Sequence, residues 1–135
     1  MKSKVFSCHK IAEGVASGEA LVSKDDICFY MIEPKTGIVI EKGHDLEGQS
    51  VARTVLVFPT GKGSSVVQAD GLYQLQLHGN APQAMIIQHA DTVLVASAIV
   101  IGIPMVNKLP EDFYKELKPG CLLDIDADRK TVTII

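Results

Sequence analysis

Tryptophan is absent from this 135-residue chain, and its aromatic side chains stop at four Phe and three Tyr. A groove that stacks nucleobases needs several exposed rings, so no base-binding platform is expected. A basic surplus is missing too. Against 16 Asp and Glu stand 13 Lys and Arg, and the net charge of −3 gives no electrostatic draw towards a phosphate backbone. Nucleic acid is therefore not an expected partner. Cysteine is scarce and odd in number: Cys8, Cys28 and Cys121 lie far apart and form no C-x-x-C pair. That is not the spacing of a zinc knuckle or of a complete iron–sulfur ligand set, and it reads as three reduced thiols packed as small hydrophobes. Long hydrophobic runs are lacking as well. The longest, Thr92 to Val106, is broken by Gly102 and Pro104 and falls short of the ~20 residues that cross a bilayer. Lys2 and Lys4 lead into no continuous apolar stretch, so neither a membrane segment nor a signal peptide is expected, and the chain reads as cytoplasmic.

What is present is enough for one core. Hydrophobic residues make up 47% of the chain and charged residues 21%, and no repeat, linker or low-complexity tract divides residues 1–135. A single domain is expected. Short β-rich runs at Lys4–Ser7, Glu19–Val22, Ile27–Met31 and Gly37–Ile40 are separated by turn signals at Gly14, Gly18, Lys24-Asp25-Asp26 and Glu33-Pro34-Lys35-Thr36-Gly37. Thr54–Phe58 is unbroken apolar, the pattern of a strand covered on both faces. Ser64 or Ser65 then caps a helix whose apolar positions run from Val66 to Leu77 and which Gly79-Asn80 closes. Ala84–Ile87 and Ile103–Val106 read as strands, with Asp91–Ile101 between them too apolar for an outer element. Pro110–Leu117 reads as a helix, and Cys121–Asp126 with Thr131–Ile135 as a hairpin around Ala127-Asp128-Arg129-Lys130. The sum is a mixed α/β fold with a β-rich N-terminal half, strand–helix–strand alternation and a closing hairpin.

The stretch Val55-Leu-Val-Phe-Pro-Thr-Gly-Lys-Gly-Ser-Ser-Val-Val67 carries the most chemistry. A nucleotide-binding P-loop needs Gly-Lys followed directly by Ser or Thr, and a glycine five places before that Gly. Here Gly63 follows Lys62, and Leu56 holds the earlier position, so spacing rules the P-loop out. Weaker physics survives. Two glycines free the backbone, and the helix start beyond them directs unpaired amides at the loop, favouring a carboxylate or phosphate beside Lys62. A serine here serves as a ligand hydroxyl, or as a base where further cationic surroundings populate its alkoxide. The same residues equally describe a capped tight turn, and pattern alone leaves both readings standing.

Other candidates are weaker. His9, His44, His78 and His89 have no metal-site spacing, and no G-x-S-x-G elbow marks a hydrolase serine. Asp124, Asp126 and Asp128 alternate without the Gly and Glu of a calcium loop, so they read as a solvated hairpin tip. Arg53, before the strand, reads as a surface charge with a second anion contact as the alternative.

In order and spacing, Gly18-Glu-Ala-Leu-Val-Ser23, Pro34-Lys-Thr-Gly37, His44-Asp-Leu-Glu-Gly48, Val55-Leu-Val-Phe-Pro-Thr-Gly-Lys-Gly-Ser-Ser65, Gly79-Asn-Ala-Pro82 and Gly102-Ile-Pro-Met-Val106 resemble the small subunit, or swivelling domain, of the aconitase X dehydratases. The ending Lys118-Pro-Gly-Cys-Leu-Leu-Asp-Ile-Asp126 is similar to the closing hairpin of other swivelling β/β/α domains. The resemblance implies a hydro-lyase subunit that is inactive alone. It implies a heterodimer in which a large subunit carries an iron–sulfur cluster, while this chain binds none and closes over a cleft. Ser64 is then the proton acceptor, and Gly61, Lys62, Gly63 and Ser65 bind a small anionic metabolite. The cluster iron would take the leaving hydroxyl as a Lewis acid.

Two activities are known in that group: dehydration of 5-phosphomevalonate in a mevalonate pathway variant of isoprenoid biosynthesis, and dehydration of cis-3-hydroxyproline. The loop and the Ile103-Pro-Met-Val106 segment look closer to the first. The chain also departs from the family pattern. Met31 and Ile32 replace paired glycines, Glu33 stands for aspartate, Val67 and Gln68 replace Gly-Ser, and Asn107 stands for aspartate. These departures keep a second reading open, a non-catalytic swivelling module that binds an anionic metabolite or a protein partner. A free-standing serine hydrolase fits less well.

Overall fold

The computed structural model describes residues 3–135. Among them, eight strands and three α-helices follow in the order β1 (Lys4–Ser7), β2 (His9–Ala12), β3 (Val15–Val22), β4 (Val55–Phe58), α1 (Ser65–Leu77), β5 (Ala84–Ile87), α2 (Thr92–Ile101), β6 (Met105–Asn107), α3 (Glu111–Glu116), β7 (Leu122–Asp126) and β8 (Thr131–Ile134). The strands form one sheet in the order β1-β8-β7-β3-β4-β5-β6-β2. Its two edges, β1 and β2, are consecutive in the chain and joined through Cys8, whose N–H donates to the Lys130 carbonyl at 2.9 Å. A one-residue link cannot span an open sheet, so the sheet curls until its edges nearly meet.

β3, β4, β5 and β6 run parallel, and the remaining pairings are antiparallel. Every residue of β4 and β5 is buried, which fits their unbroken apolar sequences and requires a layer on each face. On one face Val55, Val57, Ala84 and Ile86 pack with Phe113 of α3 and with Leu123, Ile125 and Val132 of the antiparallel part. On the other, Leu56, Phe58, Met85 and Ile87 pack with Leu72 and Leu75 of α1 and Leu94 and Ala98 of α2. The result is the expected β/β/α layering. Because α1 and α2 each return the chain from the end of one parallel strand to the start of the next, both begin at the same edge of the sheet.

Several local expectations are corrected. Gly18 lies inside β3, which begins at Val15, and marks no turn; a Cβ there would sit 3.1 Å from the Arg53 carbonyl oxygen, so glycine permits a close backbone approach. Ile27–Met31 is not a strand. Ile27 makes a single bridge to Gly61, and Phe29–Met31 turns as a 3-10 helix so that Phe29, fully buried, meets Phe58 edge to face. Gly37–Ile40 holds only isolated bridges, at Ile38 and Val39. The apolar Asp91–Ile101 segment is an outer helix after all: Leu94 and Ala98 face the core while Ile99 and Val100 are 57% and 83% exposed. β2 carries no apolar run to announce it, being a mostly exposed edge strand. None of the helices among the described residues is long and apolar enough to cross a membrane.

Candidate active-site loop

β4 ends at Phe58, at the end of the sheet where the helices start, and six residues separate it from α1, which begins at Ser65. The intervening loop is held from one side by backbone pairing. The Ile27 N–H donates to the Thr60 carbonyl at 3.0 Å, and the Lys62 N–H to the Ile27 carbonyl at 2.9 Å. Gly63 has φ +111°, a conformation that glycine adopts readily and a side chain resists, and it turns the chain into the helix. Ser64 follows as the N-cap, in extended geometry (φ −72°, ψ 167°), and its Oγ accepts from the Val67 N–H at 3.4 Å. Ser65 is the first helical residue, and both serines are exposed. The structure shows the capped turn. Ser64 is the cap, but the bond is long for a hydrogen bond and leaves its hydroxyl accessible.

Electrostatics favour an anion here. None of the N–H groups from Gly63 to Val66 donates to an acceptor among the described residues. They converge at the positive end of the α1 macrodipole. Lys62 is committed elsewhere: its Nζ donates to Glu41 Oε2 at 2.5 Å. That bond raises the ammonium pKa above its ordinary value, with smaller support from the nearby Cys28 and Asp25.

Beneath the loop lies a polar contact that joins two helices. Gln68, fully buried on the first turn of α1, donates from Nε2 to Asp91 Oδ2 at 3.4 Å. Asp91 is the N-cap of α2, and its Oδ1 accepts from the Val93 and Leu94 N–H groups at 2.9 and 3.1 Å. Gly61 rests on this contact: a Cβ there would overlap the Gln68 amide and stand 2.7 Å from Leu94 Cδ1.

Gly61, Lys62, Gly63, Ser64 and Ser65 therefore share one exposed loop, as their adjacency requires. Others are dispersed. Arg53 is at the opposite end of β4, donating from Nη1 to the Gly79 carbonyl at 3.1 Å. His44 is buried with Nε2 2.9 Å from the Asp26 carbonyl and Nδ1 accepting from the Leu46 N–H, which holds its ring in a structural role. Of the substitutions read from the sequence, Met31 is exposed and Ile32 buried, and Glu33 accepts from the Lys35 N–H in its own turn. Sequence reasoning missed Glu41 and Asp91, and also Tyr30, whose hydroxyl donates to Asp70 Oδ2 at 2.7 Å on the flank of α1. Each pairing spans at least 21 positions, so no local pattern announces it. Among the described residues no three His, Cys, Asp or Glu side chains gather as a metal site, and the free cysteines Cys8, Cys28 and Cys121 lie in three separate connections. This chain's own donors do not fit an iron–sulfur cluster.

A strongly curled, three-layered domain with an accessible serine at a helix mouth is the architecture of a swivelling domain. Residues 5–134 match the family described as the aconitase X swivel domain, and the chain belongs to it. It is 47% identical over 120 residues to the phosphomevalonate dehydratase small subunit of Methanocella arvoryzae, covering 88% of this chain and 90% of that one. To the protein of the same name in Methanothrix thermoacetophila it is 39% identical over 130 residues, covering 96% and 93%. The fold superposes on the crystal structure of Thermococcus kodakaraensis aconitase X (holo-form) with a TM-score of 0.88, 38% identity and 98% of each chain covered.

Proposed function

We propose that this chain works as the small subunit of a cytoplasmic hydro-lyase that eliminates water from 5-phosphomevalonate, with Ser64 as the proton acceptor. In this reading the chain is a single swivelling domain that closes over the cleft of a large subunit. The observation that carries it is the placement of Ser64: exposed, at the N-cap of α1, with flanking backbone N–H groups that meet no acceptor among the described residues. Support for the substrate comes from relatives 37–47% identical, which bear the phosphomevalonate dehydratase small subunit name.

A serine hydroxyl removes a carbon-bound proton only as its alkoxide, so every feature that favours negative charge on Oγ counts. The Val67 N–H already points at Oγ, and the helix terminus adds a fixed partial positive charge. The N–H groups of Gly63 and Ser65, together with Gly61 through its close backbone, receive an anionic group of the substrate. Lys62 adds its charge when it exchanges Glu41 for that anion. The base takes the proton, the carbon–hydrogen electrons form the new double bond, and the hydroxyl leaves towards groups that this chain does not supply. The cluster implied for this family belongs, in this reading, to the large subunit. Domain closure then excludes water from a cleft with one wall on each subunit.

The test is co-expression with the large subunit from the same genome. Ser64→Ala is expected to leave co-purification intact and to reduce turnover of 5-phosphomevalonate by about 10²- to 10⁴-fold, the usual range for losing a general base. Full activity of that variant overturns the serine-base assignment.

A further inference from the structure

Gln68 is an expensive choice for its position. It is 1% exposed, at a helix turn packed against apolar neighbours, where a leucine or methionine would bury no polar group. Its Nε2 donates to Asp91, so its Oε1 points the other way, and no donor among the described residues reaches it. Reversing the amide would set Oε1 against the Asp91 carboxylate, so the orientation follows from the partner. An amide kept at this cost makes a connection that an apolar side chain cannot.

That connection runs to the loop. The Gln68 amide fills the space a side chain at Gly61 would need, and the Gln68 backbone N–H donates to the Ser64 carbonyl at 3.0 Å. Through Asp91 it is tied to the start of α2, which carries the same carboxylate on its Val93 and Leu94 N–H groups. One carboxylate and one amide thus lock the two helix mouths together directly beneath Gly61.

We propose that Gln68 is a positioning residue, which holds the Gly61–Ser64 loop at one height above the sheet by bridging it to the Asp91 cap of α2. The inference rests on the reading of Ser64 as the base. It concerns the geometry of the proton acceptor, so its loss lowers kcat more than it raises KM.

The test uses the reconstituted two-subunit enzyme with 5-phosphomevalonate. Gln68→Met keeps length and burial but removes both amide groups; the expected result is a 10- to 100-fold fall in kcat with KM within about threefold. Asp91→Ser, which still caps α2 but is too short to accept from Gln68 Nε2, is expected to fall in the same direction, and the double variant by less than the product of the two. Gln68→Met with wild-type kcat, beside an inactive Ser64→Ala, overturns the positioning role and leaves the base assignment standing. A fully active Ser64→Ala, or a wild-type complex with no turnover of this substrate, overturns the base reading and this inference with it. If Gln68→Met fails to assemble, Asp91→Ser decides alone: wild-type kcat there overturns the proposal.

Discussion

Glu41 Oε2 lies 2.5 Å from Lys62 Nζ, joining a carboxylate of the long β3–β4 connection to the cation of the serine loop 21 positions later. In the chain alone, the one lysine of the loop is therefore neutralised by an internal anion. In the proposed reading an incoming substrate carboxylate or phosphate competes with Glu41 for it, while the backbone N–H groups from Gly63 to Val66 have no acceptor among the described residues. If Lys62 binds the substrate as proposed, Glu41 acts as a brake on binding.

Glu41→Gln is expected to lower KM for an anionic substrate severalfold and to leave kcat nearly unchanged, because the contact is made in ground and transition states alike. Lys62→Met should raise KM and flatten its dependence on ionic strength. Both follow from steady-state kinetics at two salt concentrations. An unchanged KM in Glu41→Gln would show that Lys62 never leaves its partner during turnover.

Gly61→Ala is expected to disturb the site more than the fold. The new Cβ would overlap the Gln68 amide and crowd Leu94 Cδ1 at 2.7 Å, and both are side-chain ends that can move. A cost of about 1–3 kcal/mol is typical of such overpacking. Displacing Gln68 also shifts the loop above it, so kcat should drop in a variant that still melts cooperatively. Thermal unfolding and kinetics on the same preparation separate the two effects.

How far the sequence reveals this arrangement depends on the range of the forces involved. β4, α1, β5 and the closing hairpin are legible because apolar runs, a serine cap and turn residues are local signals, and the structure keeps them. Phe29 misleads: its run looks like a strand, but burial against Phe58 and α1 bends the backbone into a 3-10 turn. β2 is hidden because an exposed edge strand needs no hydrophobic pattern. In the loop, order and spacing point to Gly61 to Ser65, and the structure places these five residues between β4 and the start of α1. Glu41 and Asp91 stay silent until folding brings them across 21 and 23 positions to Lys62 and Gln68.

Gly71 reverses a common rule. Glycine within a helix costs about 1 kcal/mol relative to alanine, so Gly71→Ala on an open α1 would stabilise. Here the added Cβ would stand 2.7 Å from the Phe29 carbonyl carbon and 2.9 Å from the Tyr30 nitrogen, and backbone cannot step aside as a side chain does. A net loss of about 1–3 kcal/mol is expected, with a lower melting temperature. The Tyr30–Asp70 hydrogen bond on the same flank should weaken with it. A variant that melts higher than the parent would mean that the 3-10 turn yields.

Cys8 links β1 to β2, and partial burial pushes its thiol up from 9.0 to about 11. The folded state therefore resists forming the thiolate, whereas the unfolded chain ionises nearer pH 9. Stability from this residue is fully present below that point and is lost as pH rises through about 11. Cys8→Ser removes the titration while nearly preserving size. The melting temperature of the parent should fall more steeply between pH 9 and 11 than that of the variant, with the two running parallel below pH 8. Alkylation of Cys8 should likewise accelerate over the higher window, since the thiolate is the reactive form. Parallel curves throughout would mean that the thiolate is solvated as well in the fold as outside it, and that the β1–β2 junction opens.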